Sequence, residues 1–397
     1  MNDLELYYRP TRVEISLDAL NRNLQAFRSA MPQGRLLMAS VKANAYGHGA
    51  VEIAREAERF GVDYLGVAFL DEALQLRQAG IRTPILVLGF VPAEALALAR
   101  DLEIAIALFR DDILEAAAAL PVHEEGKKLN VHIKIDSGMG RLGIIGKEEA
   151  IAFIDRALSV PQLEVEGLFT HYARADEADK SYTKQQYERF QAVAEHIRSH
   201  KLPIRIIHAA NSAAGMDTPE YGGDMVRLGI SMYGIYPSDE VNQQTITLDP
   251  VLSLKTEVVM VKDAPPGWGI SYGSRYVTKD VERIGTLPIG YADGFSRLMN
   301  GKAHVLVRGV KVPVLGTICM DQCMIALDGA ATATAVEPGE EVVLLGRQGD
   351  EVITAEELAS QLGTIPYEVT CMVAARVPRV YVRDGKVEAV SNPLVLG

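Results

Sequence analysis

LLMASVKANAYGHGAVEIAREAERFGVDYLGVAFLDEALQLRQA, residues 36–79, decides the fold. Leu36–Val41 is an apolar run of strand length that ends on Lys42. Ala50–Phe60 has helical period, Tyr64–Ala68 is a second short apolar run, and Leu70–Ala79 is helical again. Short apolar runs that alternate with amphipathic helices need crossover connections, which make the sheet parallel.

The same alternation extends both ways. Further strands are predicted at Arg12–Ser16, Ile85–Leu88, Ile104–Ala107, Val131–Ile135, Val165–Thr170, Ile204–His208 and Met225–Ile230. Helices are predicted at Ala93–Asp101, Asp111–Ala119, Lys147–Leu158 and Ser181–Ser199, with Asp71 and Asp111 at N-cap positions. About eight units in about 235 residues fit a closed (β/α)8 TIM-type barrel over residues 11–247 better than an open doubly wound sheet. From residue 248 strand-like runs follow one another: Leu252–Val261, Arg283–Pro288, His304–Val307, Val310–Val314, Met324–Ala326, Glu341–Leu345 and Arg379–Val382. One helix, Ala355–Leu362, interrupts them. Residues 248–397 therefore read as a mostly-β C-terminal domain, and the first ten residues fit either domain.

Composition narrows the function. A formal net charge of −12 argues against a nucleic-acid partner, and no polybasic patch addresses a membrane surface. No run approaches the ~18 apolar residues of a membrane span, and the polar N-terminus has no signal-peptide core. The odd, small number of cysteines (Cys319, Cys323 and Cys371) suggests a reducing compartment, so the expectation is a cytoplasmic protein. Cys319 and Cys323 could form half a metal site, but nothing at the usual spacing completes it, and no metal is expected.

Two pattern matches fail on context. Gly138-Met-Gly140-Arg-Leu-Gly143 fits a dinucleotide fingerprint, but it follows the sixth strand of a series rather than opening a βαβ unit. Gly269-Ile-Ser271-Tyr-Gly273 fits a nucleophile elbow, but Pro265-Pro266-Gly267 precedes it and strand-like residues follow.

Lys42 lies at the C-terminal end of its strand, where a β/α barrel carries its active site. In a partly apolar pocket its amine would lose its proton and could form a Schiff base with an aldehyde. The bland alternative is a lysine that pairs with a carboxylate at the barrel mouth. Val41-Lys-Ala-Asn-Ala-Tyr-Gly-His-Gly49 closely resembles the pyridoxal-phosphate attachment motif of bacterial alanine racemases. The resemblance continues through His132-Ile-Lys134-Ile-Asp-Ser-Gly-Met-Gly-Arg141, Thr170-His171, His208-Ala-Ala-Asn211-Ser212 and Met225-Val-Arg227-Leu-Gly229-Ile230. It includes Ser271-Tyr272-Gly273, Gly290-Tyr291-Ala-Asp-Gly294, Cys319-Met320-Asp321-Gln322 and Tyr367-Glu-Val369.

The resemblance implies racemisation of L- and D-alanine, supplying D-alanine for peptidoglycan, by a homodimer with shared active sites. It implies pyridoxal phosphate on Lys42, with Lys42 and the partner's Tyr272 as bases on opposite faces. His171 and Arg227 match the pair that contacts this tyrosine; taken alone, they read as a satisfied core histidine and a structural ion pair. Arg227 also matches the donor to the cofactor's ring nitrogen. Tyr46, Asn211, Ser212, Gly229, Ile230 and Tyr367 match the rest of the cofactor set, although Ser212 alone would read as a helix cap. Arg141 matches the binder of the substrate carboxylate, and Lys134 a lysine that is carbamylated in many members. Met320 and Asp321 match partner residues near the carboxylate, and Tyr291 one that narrows the entrance. Leu88 is a candidate pocket wall.

Two departures stand out: Ser16 where the family usually has an acid, and Trp268, the only tryptophan, four residues before Tyr272. The competing readings are a serine or broader amino-acid racemase, a decarboxylase of the same architecture, and a non-enzymatic pyridoxal-phosphate carrier, which would leave the second domain without a role.

Overall fold

The structure, a computed structural model, describes residues 7–330 and 335–395. It divides into two compact units: Asn21–Ala45 with Ala50–Asp249, and Met1–Leu20 with Tyr46–Gly49 and Pro250–Gly397. Strand β1 (Arg12–Ser16) belongs to the second.

The first unit is an eight-stranded parallel barrel. Its strands are β2 (Leu36–Ser40), β3 (Tyr64–Val67), β4 (Ile85–Val87), β5 (Ile104–Leu108), β6 (Leu129–Lys134), β7 (Leu163–Phe169), β8 (Ile206–His208) and β9 (Met225–Leu228). They run in the order β8-β7-β6-β5-β4-β3-β2-β9. The seam between β8 and β9 has no regular ladder. It is bridged by Asp224 N–H to Ile207 C=O (2.7 Å) and Arg227 N–H to Ala210 C=O (3.0 Å). Met38, Tyr64, Leu86, Ala105, Ile206 and Met225, from six strands, pack into one buried cluster. Full burial of a large apolar side chain contributes roughly 1.5–3 kcal/mol. The helices cover the outside by their apolar spacing. Lys147–Leu158, for example, buries Ala150, Phe153, Ile154 and Ala157.

The second unit is built on an eleven-stranded sheet. After β1 come β10 (Leu252–Glu257), β11 (Met260–Ala264), the short β12 (Gly269–Ile270) and β13 (Tyr276–Val277), β14 (Glu282–Leu287), β15 (His304–Val307) and β16 (Val310–Leu315). Then follow β17 (Cys323–Ala326), β18 (Glu341–Gln348), β19 (Glu351–Ile353), β20 (Arg379–Arg383) and β21 (Lys386–Ser391). The path is β11-β14-β17-β16-β15-β18-β10-β1-β20-β21, with β19 on β18 and β12–β13 as a separate hairpin.

Several expectations need correction. Arg12–Ser16 is not a barrel strand: it pairs with β10 and β20. Residues 7–10 go with it, since Arg9 donates to Asp293 at 2.8 Å, while residues 1–6 lie outside the described residues. Asp71 and Asp111 are first-turn residues rather than N-caps, which are Phe69 and Arg110. An acid in the first turn still favours the helix dipole. Leu252–Val261 is two strands, because the chain exchanges partners at Val258, which bonds Glu340, and Val259, which bonds Thr286. Ser16 Oγ accepts from Ala19 N–H at 3.1 Å, the capping that an acid would otherwise provide. Among the described residues no helix is long and apolar enough to cross a membrane.

Candidate active site

Lys42 leaves the end of β2 and opens an unusual turn. Ala43, Asn44, Ala45 and Tyr46 all have φ near +53°, one turn of left-handed helix. Each non-glycine residue in that region costs roughly 1–2 kcal/mol, so neighbours must hold it. Ala43 N–H donates to Glu72 Oε1 (2.6 Å), and Asn44 Oδ1 accepts from Ala50 N–H (2.8 Å), starting the helix Ala50–Phe60. Glu72 Oε2 also takes the N–H groups of Ala68 and Phe69, at 2.7 and 3.3 Å. One carboxylate thus ties the turn after β2 to the turn after β3.

Three cations gather with Lys42 at this end of the barrel. Arg227, on β9, is buried. Its Nη1 donates to His208 Nδ1 at 2.9 Å. Its Nη2 reaches Thr170 C=O (2.7 Å), Ala209 C=O (2.8 Å) and His171 Nδ1 (3.2 Å). The terminal nitrogens are committed, and Nε takes no partner among the described residues. Burial pulls the Arg227 pKa down to about 10. Burial, then the charge of Arg227, holds His171 well below the usual imidazole range, so His171 is neutral. An arginine can only donate, so His171 accepts at Nδ1 and carries its proton on Nε2.

Lys134, at the end of β6, donates to Leu88 C=O at 2.9 Å and lies 5.1 Å from the centre of the Phe169 ring. Desolvation, then Arg141, Arg227 and Lys42, bring its pKa down to about 7. Leu88 packs its side chain against the barrel core. Arg141 is exposed on a loop wrapped round Asp136, whose carboxylate accepts from Gly138, Gly140 and Arg141 N–H at 2.9, 3.0 and 3.0 Å. The glycine-rich segment therefore cradles its own aspartate. From the helix Ser181–Ser199, Tyr182 and Arg189 hold the loop by Gly138 C=O (2.7 Å) and Ser137 C=O (3.1 Å).

Asn211, not Ser212, caps the short helix Ser212–Asp217, accepting from Ala214 N–H at 3.0 Å. Ser212 Oγ accepts from Gly229 N–H at 2.9 Å, and a 3-10 turn begins at Ile230. Hydroxyl and backbone N–H groups are thereby brought together at the ends of β8 and β9.

The remaining residues lie in the second unit. Tyr46 and Tyr367 have ring centres 6.2 Å apart. A Cβ on Gly47, at φ +88°, would lie 2.1 Å from Thr370 C=O, so only glycine fits. Arg379 and Tyr381, on β20, donate to the carbonyls of Gly47 (3.1 Å) and His48 (3.0 Å). Tyr272 follows Ser271 in the turn of the β12–β13 hairpin, not in a strand–turn–helix elbow. Ser271 Oγ donates to Thr317 C=O at 2.5 Å and lies 3.3 Å from Cys319 Sγ. Tyr272 is 70% exposed, with Trp268 and Met320 exposed as well. Tyr291 and Ala292 N–H donate to the carbonyls of Cys319 and Met320, both at 3.0 Å, so the Tyr291 turn and the Met320 loop are one piece. Arg376 joins them again, from Asp293 (2.8 Å) to Asp321 (2.6 Å).

Sequence reading missed the supports Glu72, Asp136, Tyr182 and Arg376. Glu72 and Asp136 act through backbone N–H groups, and no residue spacing announces such bonds.

Residues 15–237 match the family model "Alanine racemase, N-terminal domain" and residues 251–381 "Alanine racemase, C-terminal domain". The alanine racemase of Halalkalibacterium halodurans is 47% identical over 99% of this chain and 100% of its own. That of Geobacillus stearothermophilus is 45% identical over 100% and 99%. Among solved structures, alanine racemase from Clostridium difficile 630 superposes with a TM-score of 0.92 at 40% identity, covering 97% of this chain and 99% of that one. Bacillus anthracis alanine racemase with bound L-Ala-P gives 0.91 at 42% identity, over 98% and 99%. Matches of this extent across both units establish that the chain belongs to the alanine racemase family.

Proposed function

We propose that the chain interconverts L- and D-alanine with pyridoxal phosphate held on Lys42, Lys42 Nζ moving the proton on one face and Tyr272 Oη of a partner subunit on the other. The observation that carries this is Arg227, a buried guanidinium with both terminal nitrogens committed and Nε left to donate.

When bound, pyridoxal phosphate supplies an aldehyde carbon for the amine and a ring that draws electron density from Cα. The donor set fits it. Lys42 offers the amine. Ser212 Oγ, the Gly229 N–H that here donates to it, the N–H of Ile230, and the hydroxyls of Tyr46 and Tyr367 suit the phosphate, with Asn211 capping the helix that presents Ser212. Arg227 Nε suits the ring nitrogen. As an arginine only donates, that nitrogen stays an acceptor, which favours proton transfer over decarboxylation.

A phenol with a solution pKa near 10 needs help to act as a base. His171, with its proton on Nε2, can donate to the Tyr272 oxygen and stabilise its ionised form. Arg141 suits the substrate carboxylate by its two-donor fork. Met320 and Asp321 of the partner flank that carboxylate, and Tyr291 narrows the way in. Lys134, with a pKa near 7, offers the neutral amine that adds to carbon dioxide. An N–C bond forms, one proton leaves, and the carbamate anion orients Arg141 where an ammonium would repel it.

Tyr272 and Met320 stand exposed in the isolated chain, which supports a homodimer that completes its sites by exchange, most simply as a C2 pair. We place the enzyme in the cytoplasm, supplying D-alanine for peptidoglycan, with serine a minor substrate. The test is borohydride reduction of the pyridoxal-phosphate-loaded enzyme followed by peptide mapping. The phosphopyridoxyl group is expected on Lys42, and its appearance on another lysine would overturn the assignment.

A further inference from the structure

A line of buried polar side chains runs through the barrel away from the reacting groups. It starts at Arg227 Nη1, 2.9 Å from His208 Nδ1. His208 Nε2 is 3.0 Å from His132 Nδ1, and His132 Nε2 is 3.4 Å from Glu166 Oε2. Glu166 Oε1 accepts from Arg205 Nη2 at 2.8 Å, and the Tyr64 hydroxyl also bonds this carboxylate. Both imidazoles are fully buried, and Phe169 stacks on His208 at 5.1 Å.

Two features of the backbone accommodate the line. In the β6–β7 pairing Val131 faces Val165, but His132 faces Gly167. Glu166 is therefore an extra residue in β7, a bulge that re-aims its side chain. At Gly167 a Cβ would lie 2.3 Å from His132 Nδ1, so the glycine makes room for the ring.

The proton positions follow by elimination. Arg227 has no acceptor, so His208 Nδ1 must accept and its proton sits on Nε2. His132 Nδ1 must then accept, and His132 carries its proton on Nε2, pointing at a carboxylate that only accepts. One end of the line is donor-only and the other acceptor-only, so every N–H points the same way and reversal would set donor against donor.

We propose that Glu166, through His132 and His208, is a positioning residue for Arg227, fixing the guanidinium opposite the cofactor ring from across the barrel. Each imidazole donating towards the carboxylate is the stronger acceptor at its other nitrogen. His208 therefore grips Arg227 more firmly than an isolated histidine would. The inference rests on the reading that Arg227 faces the cofactor.

The first test is 15N NMR of the histidine-labelled, pyridoxal-phosphate-loaded enzyme. Both His132 and His208 are expected as the Nε2–H tautomer, and Nδ1–H on either overturns the relay, whether or not any variant folds. The second compares Glu166→Gln with Arg205→Gln, which breaks the same ion pair from its exposed side. Glu166→Gln is expected to lower kcat about 10-fold, the loss typical of an outer hydrogen-bond partner, and to move the His208 resonances. Its KM should stay within about twofold, since the interaction lost is with the reacting system rather than with substrate alone. Arg205→Gln should leave kcat and the His208 resonances as they are. If both variants lose only thermal stability and keep wild-type kcat, Glu166 is merely structural and the proposal fails. Arg227→Gln separates the two readings. Should it leave kcat intact, the site reading itself falls; should it cripple the enzyme while Glu166→Gln is silent, only the relay falls.

Discussion

At the end of the barrel, Arg227 and Lys134 are buried and largely bonded in advance; on the second unit, Tyr272, Tyr291 and Met320 stand in solvent. Arg227 is gripped by His208, His171 and two carbonyls, and Lys134 is desolvated against Phe169. Tyr272, by contrast, offers its backbone C=O to Thr317 and leaves its ring 70% exposed. The buried set is organised in advance, and its electrostatic cost appears as lowered pKa values. The exposed set has its backbone tied by hydrogen bonds while its side chains face solvent, and the proposed partner subunit is what would give them an environment. Each region can be broken separately.

Removing the amine should have the largest effect. Lys42→Ala is expected to lower racemisation at least about 10³-fold, towards the upper range for a positioned acid–base group, and to abolish the borohydride-trapped adduct. Activity near wild type would move the covalent site elsewhere. Tyr272→Phe should cost about 10²–10⁴-fold while leaving cofactor content unchanged by absorbance. The loss should be seen in hydrogen exchange at Cα from one enantiomer more than from the other. Equal loss from both would argue that one base serves both faces.

Mixing these two inactive variants sharpens the comparison further. If each site takes Lys42 from one subunit and Tyr272 from its partner, a mixed dimer has one intact site and one doubly damaged site. Random exchange of equal amounts makes half the dimers mixed, so about one quarter of wild-type activity should return. No recovery after verified exchange would mean that each chain uses its own tyrosine.

The two regions also differed in how much the sequence disclosed. Lys147–Leu158 and Ser181–Ser199 were read to their ends because their apolar residues keep helical spacing. β1 was misread because a strand before a helix looks like one more β/α unit, and its partners β10 and β20 lie hundreds of residues away. The break at Val258 was invisible because valine suits a strand whichever neighbour it bonds. Of the site's titratable groups, Lys42 alone was marked by its place at a strand end; the others came only from the family resemblance, and most of their supports came from neither. Nothing in Ala43 or Ala45, both good helix formers, signals a left-handed turn; it is imposed by Glu72 and Asn44. Read alone, Ser212 passes for the helix cap because either it or Asn211 can cap, and only the bonds from Ala214 N–H to Asn211 and from Gly229 N–H to Ser212 decide between them.

The smallest expected effect concerns the buried set alone. Lys134 has its pKa lowered from 10.5 to about 7 in the folded protein, chiefly by desolvation. Below pH 7 the amine is charged both folded and unfolded, and the folded state bears the full penalty of a buried ammonium beside other cations. Between about pH 7 and 10.5 the unfolded chain holds a proton that the folded one has lost, so stability rises with pH across that window. Lys134→Met keeps the length of the side chain and removes the charge. In buffer freed of carbon dioxide, its melting temperature should exceed wild type by roughly 2–4 °C at pH 6, with the gap closing towards pH 9. A constant gap would mean that the gain comes from apolar packing rather than from relief of a buried charge. A gap that widens with pH would put the Lys134 pKa on the wrong side of its solution value, and with it the neutral amine that carbamylation requires.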